Sequence, residues 1–157
     1  MHSVVDYVTT PTPDIAVAPT PPPAAVADLL RTADMPADDL GRHEPTTVWT
    51  AGIAGEIQGT AALEQYECYG LLRSVVVAEP HRGHGWARLL TEAALSAARK
   101  ADLVAVYVLT ETAADYFFGL GFVAVNRRAV PPVVRQSTEF AELCPDSAVA
   151  MVRELHV

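Results

Sequence analysis

The sequence predicts one α/β domain: a mixed sheet of about seven strands flanked by helices. Three observations carry that expectation. Two strongly apolar runs, Tyr69–Val77 (YGLLRSVVV) and Leu103–Leu109 (LVAVYVL), read as central strands, because strands buried on both faces lose polar alternation. Between them, Gly85–Lys100 repeats small and branched apolar residues at helical spacing. Finally, 157 residues, half of them apolar and 19% charged, suit one globular domain with its own core.

The remaining elements follow in order. Residues 1–13 carry Thr and Pro without apolar periodicity and read as a flexible tail, leaving 14–157 as the domain. Asp14–Ala18 is a short strand. Prolines at Pro19–Pro23 suit a helix start, and Val26, Leu29 and Leu30 mark a helix over Ala24–Thr32. Met35–Leu40 is a turn with room for a short helix. Thr46–Ile53 and Glu56–Leu63 form a hairpin across Ala54 and Gly55. In the long helix, Leu89, Leu90, Ala93, Ala94 and Ala97 are expected on the buried face. A helix over Thr112–Leu120 has Thr112 as N-cap and Gly121 as C-terminal glycine. Strands Phe122–Asn126 and Ser147–Leu155 close the domain, joined by a connection over 131–145 that includes a helical turn. No internal repeat is present.

Composition excludes several function classes. The formal net charge of −8 repels phosphate backbones, so nucleic acid is not an expected partner. No apolar run approaches the ~20 residues that span a bilayer. Met1–Thr12 lacks a basic segment followed by an apolar one, so a secretory signal is not expected and the predicted location is cytoplasmic. Cys68 and Cys144 have no short metal-ligand spacing and read as reduced thiols, so no metal site is expected; the alternative is a soft-metal or arsenic(III) site built from the pair, against which stands the want of a third soft ligand.

The chemistry lies in Val75–Arg88 (VVVAEPHRGHGWAR). A buried strand enters a turn of the form Arg82-x-x-Gly85-x-Ala87, and a helix starts there. Such a turn aims successive backbone N–H groups at one point, and the helix N-terminus adds its positive end. Glycines at 83 and 85 remove side chains where the backbone must approach a pyrophosphate. Arg88 stands where a dinucleotide fingerprint needs its third glycine, and no Gly-Lys-[Ser/Thr] occurs, so neither a Rossmann nor a Walker loop is matched.

Val77–Ala87 resembles the acetyl-CoA signature of the GNAT (Gcn5-related) acyltransferases, and Phe117–Phe122 (FFGLGF) resembles that family's second hallmark, a helix ending in Leu-Gly-Phe. The resemblance covers roughly residues 14 to 155. Within it, MPADDL, GLLRSVVV, TAADYFF and EFAELCPDSAV resemble small amino-acid acetyltransferases of the arsenic-resistance type, which look like short glutamate N-acetyltransferases.

The resemblance implies a donor, acetyl-CoA, and a small-molecule amine acceptor. It implies that the strand Leu72–Val77 splays from Leu103–Leu109, the fourth strand from the fifth, and that the thioester sits near a bulge around Leu72–Ser74, where a backbone N–H would polarise its carbonyl. The pantetheine arm would lie in that V along Val75, Val76 and Val77. The pyrophosphate would lie on Arg82, Gly83, His84, Gly85, Trp86, Ala87 and Arg88. Phe117 stands where many of the family have a tyrosine that protonates the leaving thiolate, so it becomes a wall of the donor channel rather than an acid.

Glu64 and Glu111, each at an expected strand end, are candidates for accepting the amine's proton, and Ser74 for orienting a water; solvated carboxylates and a satisfied serine are the alternatives. Arg73 and Arg135 are candidates for gripping an acceptor carboxylate with a guanidinium fork, against surface ion pairs. An acyl-CoA-binding domain without turnover and a protein N-acetyltransferase remain the competing functions. Self-association as a homodimer is left open.

Overall fold

A computed structural model describes residues 11–143 and 146–155. The tail therefore lies mostly, and Cys144 wholly, outside the described residues.

The chain runs β1 (Asp14–Val17), α1 (Ala24–Thr32), β2 (Thr46–Ile53), β3 (Glu56–Tyr66), β4 (Tyr69–Val77), a 3-10 turn (Glu79–His81) and α2 (Trp86–Lys100). It continues with β5 (Ala105–Thr110), α3 (Ala114–Gly119), β6 (Val123–Val125), a 3-10 turn (Arg127–Ala129), α4 (Pro132–Arg135), a π-helical turn (Glu139–Leu143) and β7 (Val149–Glu154). One seven-stranded sheet has the order β1-β2-β3-β4-β5-β7-β6. Its only parallel pair among the described residues is β4–β5, joined by α2 as crossover.

Packing on both faces explains the apolar runs. On one face α2, through Trp86 and the residues after it, and α3 cover Leu72, Val77, Val106 and Val108. On the other, α1 covers Val48, Ala62 and Val76, while α4 and the π-helical turn cover Leu71, Tyr107 and Leu109. Leu72 and Val77 share a face although they stand five positions apart, an odd offset that would put them on opposite faces of a regular strand. A β-bulge resolves this. The register with β3 passes from Arg73↔Ala62 to Val76↔Thr60, so Ser74 and Val75 oppose Ala61 alone. Ser74 takes φ +57°, a left-handed backbone in a buried non-glycine residue.

The element order matches the expectation, with local corrections. The strand expected to end at Leu63 continues to Tyr66, so Glu64 lies inside it and not at its end. Met35–Leu40 forms only a turn. The buried stripe of α2 is Trp86, Leu90, Ala94 and Ala98 with Thr91 and Leu95, whereas Leu89 is 41% exposed; the helix is rotated from the expected face because the i, i+4 row starting at Trp86 meets the sheet. Thr112 caps nothing; Thr110 accepts the Ala113 N–H through its hydroxyl, at 2.9 Å, and α3 starts later. Gly121 does end α3, with Gly121 N–H bonded to Phe118 O and Phe122 N–H to Phe117 O, the paired bonds of a Schellman motif. No helix among the described residues is long and apolar enough to cross a membrane.

Candidate active site

Three features converge at the C-terminal end of β4. The first is a parting of strands. β4 and β5 pair only from Tyr69↔Ala105 to Leu72↔Val108. Beyond that point β4 continues to Val77 and β5 to Thr110 with no register between them. The facing backbone edges therefore form a V whose polar groups lack a strand partner. An extended ligand carrying amides can complete such an edge.

The second is the turn into α2. Gly83 and Gly85 take φ +81° and +83°, and Gly85 is the N-cap residue of a 15-residue helix. A Cβ built at either glycine meets nothing within 4 Å, so the backbone there faces open space. The extended Arg82 followed by left-handed Gly83 and Gly85 gives a concave run of amides at a positive helix end, an anion cradle. Arg82 fastens the turn to the strand by donating from Nε to Val77 O at 2.8 Å. Trp86 is 2% exposed and stacks on His81 at 4.4 Å, anchoring the helix start in the core. A small cavity of about 160 Å³ here is lined by Val77, Arg82, Gly83, Gly85, Ala87, Arg88 and others. Tyr116 joins that lining, while its neighbour Phe117 turns inward to the core.

The third is a cavity of about 570 Å³ at the mouth of the V. Its walls include Arg73, Ser74, Val75, Thr110, Glu111 and Phe117, closed by Ala33–Pro36 on one side and Glu139 on the other.

Beside it lies a buried charge cluster. The Arg73 side chain is fully buried in β4. It pairs with both oxygens of Asp39, one of them at 2.8 Å, donates to Glu64 Oε2 at 3.3 Å and to Ser74 Oγ at 3.0 Å. Glu64 Oε1 in turn accepts from Tyr66 Oη at 2.7 Å. Burial would raise the Asp39 carboxyl, but the hydrogen bond and charge of Arg73 outweigh it and hold the carboxyl below its usual range. Burial, followed by the Glu64 contact, raises the Tyr66 hydroxyl and keeps it a donor.

The structure thus brings together Arg73, Ser74, Val75, Glu111 and Phe117 around one cavity. Val76 points to the α1 side and Val77 to the α2 side of the sheet. The fork of Arg73 is engaged by Asp39, so it does not present the open bidentate face that a substrate carboxylate needs. Arg135 is exposed, donates to Val130 O at 3.0 Å, and is not in the lining. Glu64 is 2% exposed with both oxygens engaged, the reverse of a solvated carboxylate. His84 is exposed.

Sequence reasoning missed Asp39 and Glu139. Glu139 is 6% exposed, and its Oε2 has no hydrogen-bond partner among the described residues. Both acids sit in connections where a carboxylate is ordinarily solvated, and only the long-range packing of those connections on β4 buries them.

An α/β domain with an anion cradle at the mouth of a parted parallel strand pair has the architecture of an acyltransferase. The chain belongs to the acetyltransferase (GNAT) family, whose model matches residues 14–122. Its fold is similar to N-acetylglutamate synthase from Neisseria gonorrhoeae, solved with coenzyme A and N-acetyl-glutamate: TM-score 0.77, 18% identity, 94% of this chain but only 36% of that one. It is similar to a Mycobacterium tuberculosis protein solved with coenzyme A: TM-score 0.72, 22% identity, 92% of this chain and 100% of the other. It is also similar to a GNAT-family acetyltransferase from Staphylococcus aureus: TM-score 0.74, 14% identity, 92% and 99%. No curated protein sequence matches the chain significantly.

Proposed function

We propose that this chain transfers an acetyl group from acetyl-coenzyme A to the amine of a small, amino-acid-like acceptor. The observation that carries the reading is the continuity of the Gly83–Gly85 cradle, the unpaired β4 edge and the 570 Å³ cavity. The open space over both glycines and the partnerless strand edge fit a pyrophosphate followed by an amide-bearing arm.

Backbone amides of residues 82–87 would hold the pyrophosphate, with Arg88 nearby. The β4 edge at Val75–Val77 would take the pantetheine amides, and Phe117 would wall the channel. When bound, acetyl-CoA supplies a thioester-activated acetyl group. Ser74 and Val75, which have no register partner on β3, offer strand amides for polarising the acyl carbonyl. Phe117 has no proton to give, and Tyr116 lies at the cradle instead. No side chain of α3 is thus assigned as acid, and a thiolate leaves without one.

The cavity suits a small acceptor, with Ala33–Pro36 and the connection carrying Glu139 both contributing to its walls. The gonococcal neighbour, solved with an acetylated amino acid, supports an amino-acid acceptor. The arsenic-resistance or glutamate-acetyltransferase subgroup rests on the sequence stretches alone.

The test is thiol release from acetyl-CoA with a panel of free amino acids, phosphorus- and arsenic-containing amino-acid analogues, and peptides. Release dependent on a free amino acid is the expected result. Coenzyme A binding with no amine-dependent release would make the chain a binding domain, and preference for peptides would make it a protein acetyltransferase.

A further inference from the structure

Glu139 is unused by the family match, since it lies beyond residue 122. It sits on a π-helical turn, a geometry frequent at functional sites. Phe140 N–H donates to Ser137 Oγ at 3.3 Å, and Arg127 reaches Ala148 O at 3.2 Å and stands over the Phe140 ring at 5.6 Å, so the turn is held on the domain. Glu139 is a wall residue of the 570 Å³ cavity, with Arg73, Ser74, Glu111 and Asp34.

Charge balance isolates this group. Asp39 and Glu64 take the N–H groups of Arg73, and Glu139 lies outside ion-pair distance of it. Three carboxylates face one guanidinium, so the cluster carries surplus negative charge, and Glu139 is the member with an oxygen lacking any donor. A buried carboxylate with an empty acceptor site is costly unless a donor arrives from elsewhere. Glu139 is a wall residue of the cavity, so a donor bound there can approach it, and a cationic N–H donor would also offset the surplus charge.

We propose that Glu139 receives the ammonium group of the acceptor and removes the proton that must leave before the nitrogen can attack. This rests on the acetyltransferase reading above. The carboxylate takes one proton from the ammonium, giving a neutral amine and a neutral carboxyl. The amine lone pair then forms the new C–N bond while the C–S bond breaks and its electron pair leaves on sulfur. The second nitrogen proton goes to that sulfur, and Glu139 returns the first to water at the cavity mouth. Burial pushes the Glu139 carboxyl up to about 7, opposed by Arg73 and reinforced by Glu64 and Asp39. That value suits a base taking a proton from an amine near neutral pH. The other candidates are less suited: Glu64 has both oxygens engaged, and Glu111 is exposed.

The test uses Glu139→Gln and Glu139→Asp. Carbon-13 NMR of glutamate-labelled protein without ligand should show one carboxyl titrating near pH 7 in the wild type and absent in Glu139→Gln. With saturating acetyl-CoA, kcat/KM of the wild type should fall on the acid side with a midpoint near 7. Glu139→Gln should lose roughly a hundredfold or more and flatten that limb. Glu139→Asp should recover part of the rate, and calorimetric coenzyme A affinity should be unchanged in both. Full activity of Glu139→Gln with the wild-type pH profile overturns the proposal and leaves the acetyltransferase reading standing. So does the absence of a carboxyl titrating between about 6 and 8. A wild type that binds coenzyme A but acetylates no amine overturns the reading, and the proposal with it.

Discussion

Replacing Arg73 by methionine removes the only cation of the buried cluster while keeping most of its apolar volume. The substitution takes away the two-pronged pair with Asp39, the 3.3 Å bond to Glu64 and the 3.0 Å bond to Ser74 Oγ. It leaves Asp39, Glu64 and Glu139 at 8%, 2% and 6% exposure with no counter-charge. Summing charge-assisted hydrogen bonds would overstate the loss, because each carboxylate relaxes by taking up a proton. The cost of removing one partner of a buried pair, about 3–5 kcal/mol, is the better guide. The pH dependence has a definite sign. In the wild type Asp39 is held below its usual value, so its share of stability is present above pH 3.8 and lost only as pH falls through the lower folded value. In the variant the cause of that depression is gone and burial alone remains, so the carboxyls bind protons more readily folded than unfolded. The variant should therefore gain on the wild type as pH falls from 8 to 5. Urea unfolding followed by circular dichroism at both pH values measures this. A loss under about 1 kcal/mol at pH 8, or a gap that does not narrow at pH 5, would refute the cluster as a source of stability. It would return Arg73 to the role of a substrate fork, in which stability is spared and only KM moves.

Gly85→Glu should abolish coenzyme A binding by titration calorimetry, because the added side chain fills the open space over the amides with negative charge; a left-handed non-glycine residue there should cost about 1–3 kcal/mol of stability. Unchanged affinity would remove the cradle from the site. Tyr116→Phe should change kcat by less than about threefold, whereas a drop of roughly a hundredfold would make its hydroxyl the missing acid. Phe117→Leu should lower activity modestly through lost packing against Phe122 and Tyr116, whose rings lie 5.6 Å away.

The sequence by itself determined the element order, the central place of β4, the glycine turn at the start of α2 and the Leu-Gly-Phe end of α3. These are local matters: hydrophobic period, backbone sterics at glycine and the bonding of a helix end are set by neighbours in the chain. The tertiary structure decided the rest. Hydrophobic pattern did not mark the bulge at Ser74 inside the run Ser-Val-Val-Val, because a strand apolar on both faces shows no parity to break; only the family resemblance implied one, around Leu72–Ser74. Which face of α2 is buried depended on where Trp86 meets the sheet. The role of Arg73 depended on Asp39, 34 residues earlier, and that of Glu139 on a connection folded back across the cavity from beyond β6. A charged side chain reads as solvated wherever it stands in a sequence. Its burial, its partner and the proton it holds are properties of what packs over it, and only the assembled fold brings those groups together.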